Sequence, residues 1–206
     1  MTDLKLYSMP SSGNSYKVRL LLALMGRSYT HVALEDGSPE LTVAHANGEL
    51  PMGKLPVLVL PDGTQLPESN AILHYLSEGT DWLPSDPLAR ARVLAWMFFE
   101  QNRHETTIAV RAALRMYANR AHLATPERME DLLNAGHEVL QVMEDRLTDH
   151  NWLEGEAPTI ADISLYAYTH TSEERGGFDM ARFPAINAWL ARIAVLPGYI
   201  GLLEQP

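Results

Sequence analysis

The chain has 206 residues, a 46% apolar fraction and a formal net charge of −10. That length supports one large domain or two small ones, with enough core to fold without a crosslink. Cysteine is absent, which excludes a disulfide framework, thiolate metal sites and a protein-borne dithiol redox centre. The acidic balance argues against a nucleic-acid partner gripped through its phosphates, and no apolar run approaches the ~20 residues of a membrane span. With no basic leader at the start, the chain reads as soluble and cytoplasmic. Any anion site has to be local, because the global field repels anions.

Leu4 to Tyr7 alternates and predicts a first strand, and Met9 to Gly13 a loop. Val18, Leu21, Leu22 and Met25 fit one face of a helix over 14–25, closed by Gly26. Tyr29 to Leu34 alternates again, and Pro39 to Ala46 reads as a short helix. Val57 to Leu60 is an apolar run between Pro56 and the Pro61-Asp-Gly63 turn, the mark of a short buried strand. Ser69 stands as the N-cap of a helix through Ile72, Tyr75 and Leu76. This order over residues 1–79 predicts a small α/β domain with a mixed sheet.

Residues 80–87, with Pro84 and Pro87, read as a linker. No strand pattern follows it. Leu88 to Asn119 predicts one long helix without internal proline or glycine. Thr125-Pro-Glu starts another, reaching about Leu147. Thr159-Ile-Ala-Asp162 is a capping-box-like start with Asp in place of Glu or Gln, and is assigned to structure. Phe183 to Val195 is a last amphipathic helix. Residues 88–206 therefore form an all-α domain.

The chemistry gathers in two stretches. Ser11-Ser-Gly-Asn-Ser-Tyr-Lys-Val-Arg19 joins the first strand to the first helix. Lys54-Leu-Pro56-Val57 and Glu68-Ser69-Asn-Ala-Ile72 flank the hairpin. A helix start is a ready anion site, since its first N–H groups lack internal partners and its dipole is positive there. A proline opening a strand cannot donate to the ladder, and a cis Leu55–Pro56 bond would turn the backbone outward.

Together these motifs resemble the soluble glutathione transferases, serine type, and look closest to bacterial cytosolic members. The resemblance spans nearly the whole chain. It implies a thioredoxin-like N-terminal domain, a cis Pro56, glutathione as co-substrate with no metal, an electrophilic small-molecule acceptor, a homodimer and a detoxification role. It places the thiolate donor at Ser12 with Asn14 assisting, and the peptide contacts on Leu55, Pro56, Val57, Glu68 and Ser69. Lys54 falls near the glycyl carboxylate. A free thiol titrates near 8.5, so a donor aimed at the sulfur and a positive helix end both favour the nucleophilic anion. Ser11 and Ser15 are alternative donors. Asn70 stands where some relatives carry a basic residue. Other classes of the family use a tyrosine, which aligns with Ser8; Tyr7, one residue away, faces the opposite side of its strand and reads as core.

The acceptor-site candidates are His104, Ile108 and Arg111 on the long helix, with Arg115 and Tyr166 beside them. Gly48 to Lys54 imitates a phosphate loop but continues with Leu55 and precedes a strand. The eight histidines show no metal-ligand spacing. Two other readings remain open: glutathione-dependent disulfide reduction, with both sulfurs supplied by glutathione, and a non-catalytic scaffold that kept the fold.

Overall fold

The computed structural model describes residues 4–204. They fall into two compact units, Met1–Thr80 with Ala194–Pro206, and Asp81–Ile193.

The first unit carries a four-stranded mixed sheet in the order β2-β1-β3-β4. Its strands are β1 (Lys5–Ser8), β2 (Thr30–Ala33), β3 (Val57–Val59) and β4 (Gln65–Pro67). β1 runs parallel to β2 and antiparallel to β3, and β3 pairs antiparallel with β4. Three helices accompany it: α1 (Gly13–Leu24), α2 (Pro39–Ala46) and α3 (Ser69–Ser77), with α1 and α3 packed on each other. This is the α/β fold expected of the N-terminal half.

Alternation along β1 sorts its side chains. Tyr7 packs with Leu34, Ala44, Leu50 and Val57 in one cluster, as expected of a core residue. Ser8, one position on, meets Arg19 from α1 instead. α1 is buried over nearly its whole circumference, including Lys17 and Arg19, so its predicted apolar face understated it.

The C-terminal segment belongs to the first unit, not to the helical domain assigned from sequence. Tyr16 Oη donates to Ile200 O at 2.7 Å, and Arg19 Nη2 donates to Leu202 O at 2.6 Å. Gly198 (φ +86°) lies so close to α1 that an added Cβ would sit 2.7 Å from Ala23 O. A glycine is needed there for both reasons.

The second unit is built of helices: α4 (Pro87–Phe99), a π-helical stretch (Glu100–Ala109), α5 (Val110–Met116), a short 3₁₀ turn (Ala118–Leu123), α6 (Pro126–Asp149), α7 (Ile160–Thr169), a π turn (Ser172–Gly176), a 3₁₀ turn (Met180–Arg182) and α8 (Pro184–Ala194). The single helix expected over Leu88 to Asn119 is therefore widened in its middle and ends at Met116. Within the π stretch Thr106 and Thr107 turn their hydroxyls onto the carbonyls of Asn102, Arg103 and His104, bonds that compete with the regular ladder.

Two carboxylates fasten this unit. Glu144 of α6 accepts from Ala185 N and Ile186 N, capping α8, each at 2.9 Å. Asp162, fully buried, accepts from Thr159 N (2.8 Å), Thr159 Oγ1 (3.2 Å), Leu153 N (3.0 Å) and Trp189 Nε1 (2.9 Å). The predicted capping box at Thr159 is present, and the same carboxylate also ties down the preceding loop and α8. Burial pushes the Asp162 carboxyl up, and its four donors oppose that by favouring the anion.

Asp162→Ala would strand those donors in the core, so urea unfolding should show a loss of about 3–5 kcal/mol. A loss under about 1 kcal/mol would mean that the cap is not a fastening of this unit.

Candidate functional site: the start of α1 and the start of α3

The loop from β1 into α1 is held by bonds that nearly exhaust its polar groups. Ser12 N donates to Met9 O at 3.1 Å, closing a turn. Met9 N donates to Ser15 Oγ at 2.9 Å, and Ser15 is fully buried. Ser11 donates its hydroxyl to Glu35 Oε1 at 2.6 Å and its N–H to Oε2 at 3.3 Å.

Ser12 is different. It is the N-cap of α1, with φ −84° and ψ 130°, and its Oγ accepts from Ser15 N at 3.4 Å. Capping uses an oxygen lone pair and leaves the O–H hydrogen without an acceptor among the described residues. Ser12 is also half-exposed. Of the three serines, one is tied to a carboxylate, one is buried, and Ser12 retains a donor beside the positive end of a helix.

Asn14 joins this loop to α3. Its Oδ1 accepts from Lys17 Nζ at 2.8 Å and from Ser69 Oγ at 3.1 Å. Ser69 was expected as an N-cap; it is instead the first helical residue, buried, with its hydroxyl turned to Asn14. The N-cap is Glu68, whose side chain makes no capping bond. Glu68 has φ 70° and ψ 112°, a region that costs a non-glycine residue about 1–3 kcal/mol. It is exposed, and its carboxylate has no partner among the described residues.

The Leu55–Pro56 bond is cis, as anticipated. Val57 is the first ladder residue of β3, opposite Tyr7 and Pro67. Leu55 precedes the strand, and its N–H and C=O make no hydrogen bond among the described residues. Lys54 next to it is exposed and has no ion pair among those residues. Ser12, Asn14, Leu55, Pro56, Glu68 and Ser69 thus all lie at the starts of α1, β3 and α3, within one unit.

The rival positions are occupied otherwise. Ser8 is fully buried, 2.8 Å from His31 Nε2 and 3.0 Å from Arg19 Nη1. Tyr7 donates its hydroxyl to Glu49 Oε1 at 3.0 Å, and burial, reinforced by Glu49, pushes the phenol up, so it stays neutral.

The acceptor-site candidates differ in exposure. His104 is buried and lies 2.9 Å from Thr169 Oγ1. Ile108 is buried. Tyr166 is buried with its ring stacked on His170 and edge-on to Trp189. Arg111 donates to Gly176 O at 2.8 Å and to Met129 O, and burial, with Arg115 beside it, pushes its guanidinium down. Arg115 donates to Arg175 O at 3.1 Å. Helical spacing places these residues on one side of the helix, which is core at His104 and Ile108, half-buried at Arg111 and exposed at Arg115.

One residue of the site escaped the sequence reading. Arg19 has no role in that reading beyond ending the Ser11–Arg19 stretch, yet its guanidinium holds the loop carbonyls of Met9 (3.2 Å) and Pro10 (3.0 Å). A signal was available: a charged residue flanked by Val18 and Leu20 to Leu22 sits where the helix has no polar face to offer it. No group of histidines, aspartates or glutamates among the described residues is arranged to hold a metal ion.

The model of the glutathione S-transferase N-terminal domain matches residues 6–81, and that of the C-terminal domain matches residues 106–197. A glutathione S-transferase structure from Xanthobacter autotrophicus Py2 is 45% identical, with 98% of this chain and 97% of that one covered and a TM-score of 0.88. One from Pseudomonas fluorescens Pf-5 is 41% identical, covering 98% and 99%, with a TM-score of 0.91. Maleylacetoacetate isomerase of Rhizobium meliloti is 30% identical over 203 residues, covering 94% of this chain and 92% of the relative. With a thioredoxin-like sheet, an all-helical second unit and both domain models matched, the chain belongs to the glutathione S-transferase family.

Proposed function

We propose that this chain binds glutathione in its first unit and uses the tripeptide's thiolate against an electrophilic small molecule. The observation that carries this is Ser12, a half-exposed hydroxyl with an unspent hydrogen at the start of α1. A donor aimed at sulfur stabilises the anion relative to the thiol, and the helix dipole adds to it. A shift of two pH units is worth about 2.7 kcal/mol and makes thiolate the main species at neutral pH. No general base of the triad kind is required. The proton leaves to solvent, the sulfur pair forms the new S–C bond, and the displaced group departs with its own pair.

The remaining residues fit the ends of the peptide. Glu68 and Lys54 are exposed charges without partners among the described residues, suited to an ammonium and a carboxylate. The amide pairing with the middle of the peptide is best given to Leu55, whose backbone groups are unpaired, not to Val57, which is already in the ladder. Asn14 acts through Ser69 and Lys17 to hold the two helix starts together. His104, Ile108 and Tyr166 are left out of this reading because they are buried in the helical unit, and Arg111 because its guanidinium is engaged by the carbonyls of Gly176 and Met129.

A second reading is favoured by the match to maleylacetoacetate isomerases over nearly the full chain. There the same thiolate adds reversibly to an activated alkene, the former double bond rotates, and the sulfur is expelled. With no cysteine in the chain, the thiol in either cycle is glutathione's. Assays with an aryl halide, an activated cis-alkene and a glutathione mixed disulfide separate conjugation, isomerisation and disulfide reduction. Absence of glutathione binding at millimolar concentration would leave a scaffold.

Three variants test the assignment. Ser12→Ala should raise the pH midpoint of the bound thiol and lower kcat/KM at neutral pH at least tenfold, about 1.4 kcal/mol; a loss under threefold would remove Ser12 from this role. Tyr7→Phe should keep kcat/KM within about twofold at a stability cost of about 1 kcal/mol, with no change in the alkaline limb of the pH profile. Collapse of turnover would instead make Tyr7 the donor. Glu68→Gly relieves the positive φ and removes the carboxylate, so thermal unfolding should show no loss of stability while calorimetry shows glutathione affinity falling at least tenfold, about 1.4 kcal/mol. Unchanged affinity would exclude Glu68 from the peptide site.

A further inference from the structure

Arg19 is fully buried, yet every hydrogen bond it makes goes to a neutral acceptor. Nη1 donates to Ser8 Oγ (3.0 Å) and Met9 O (3.2 Å), and Nη2 donates to Pro10 O (3.0 Å) and Leu202 O (2.6 Å). Its Nε–H is buried without a partner, and it has no ion pair among the described residues. The groups that face it are the rings of Tyr16 and Tyr29, the Glu35 carboxylate at longer range, and His31, which touches the same Ser8 hydroxyl. A buried cation with no counter-ion is costly, and it persists only where something compensates it.

Its position shows what would. Met9 O accepts from Arg19 and also from Ser12 N, so the turn that sets the Ser12 backbone is closed on a carbonyl that the guanidinium grips. We propose that Arg19 is a positioning and counter-charge residue for the sulfur anion. It locks the loop that carries Ser12, fastens that loop to the C-terminal tail through Leu202, and supplies a buried positive charge that a bound thiolate balances. This deepens the glutathione reading and rests on it.

The test is the pH midpoint of the glutathione thiol in the binary complex, read from the ultraviolet absorption of the thiolate, with thermal unfolding measured in parallel. Arg19→Gln removes the charge and should raise the midpoint by about one unit, within the range a neighbouring charge exerts. Arg19→Lys returns the charge without the fork, and should recover most of the midpoint while staying less stable than the parent. A merely structural arginine would lower stability in both variants and leave the midpoint in place, which would overturn the proposal. Should Arg19→Gln fail to fold, Glu35→Gln carries the test. It keeps the shape of the acceptor for Ser11, removes the carboxylate that interacts electrostatically with Arg19, and should lower the midpoint by a few tenths of a unit; no shift would overturn the proposal. If the parent protein binds no glutathione, the functional reading falls and this inference with it. If it binds with a depressed midpoint that neither charge variant moves, only this inference falls.

Discussion

The site depends on one oxygen atom. Asn14 Oδ1 accepts from Lys17 of α1 and Ser69 of α3, joining helix starts that lie 55 residues apart in sequence. Each helix start alone is a weak anion site, because exposed dipole ends are screened within a turn. Joined, they hold the Ser12 hydroxyl at the start of α1 and the Glu68 carboxylate at the start of α3 within one unit. An amide oxygen is well suited to this. It accepts two bonds at once and carries no charge to compete with an incoming anion.

The loop between β1 and α1 is then rigid for a reason that counting its residues would miss. It contains a proline and two serines and runs into Gly13, a composition that usually marks a mobile connection. Here Ser15, Glu35, Arg19 and the turn at Met9 absorb its polar groups, leaving the Ser12 hydroxyl hydrogen in surplus. A donor held without a partner is what a transferred charge needs, since nothing has to reorganise when the charge arrives.

Most of the fold was legible in the sequence because its signals are local. Pro39 and Pro126 at helix starts, Gly26 at a helix end and the Thr159–Asp162 box all act within a turn of themselves. What escaped depends on partners far along the chain. The widened helix around Thr106 cannot be told from a regular one by apolar spacing. The tail's return to α1 rests on Tyr16 and Arg19 reaching residues more than 180 positions away. The exposure of the acceptor candidates was hidden for a related reason. Spacing places His104, Ile108 and Arg111 on one stripe but does not say whether that stripe meets solvent or core. The stretches that the resemblance assigns to glutathione, by contrast, lie at strand and helix starts, positions that local sequence signals mark.

The site is strained and charged in a way that stability alone would not select. Glu68 occupies a backbone region that glycine would fill without penalty, and Arg19 sits buried without a counter-ion. Each is unfavourable in the free protein; in the proposed site a ligand would bring an ammonium to the Glu68 carboxylate and an anion to the Arg19 charge. In a chain of net charge −10 the global field does not draw an anion in. Affinity for the sulfur must therefore come from short-range terms that act after arrival, in surroundings where water screens them little. A thiol that is already anionic gains from both the Ser12 donor and the buried guanidinium. A neutral thiol gains little from either, so the proposed site would couple binding to deprotonation.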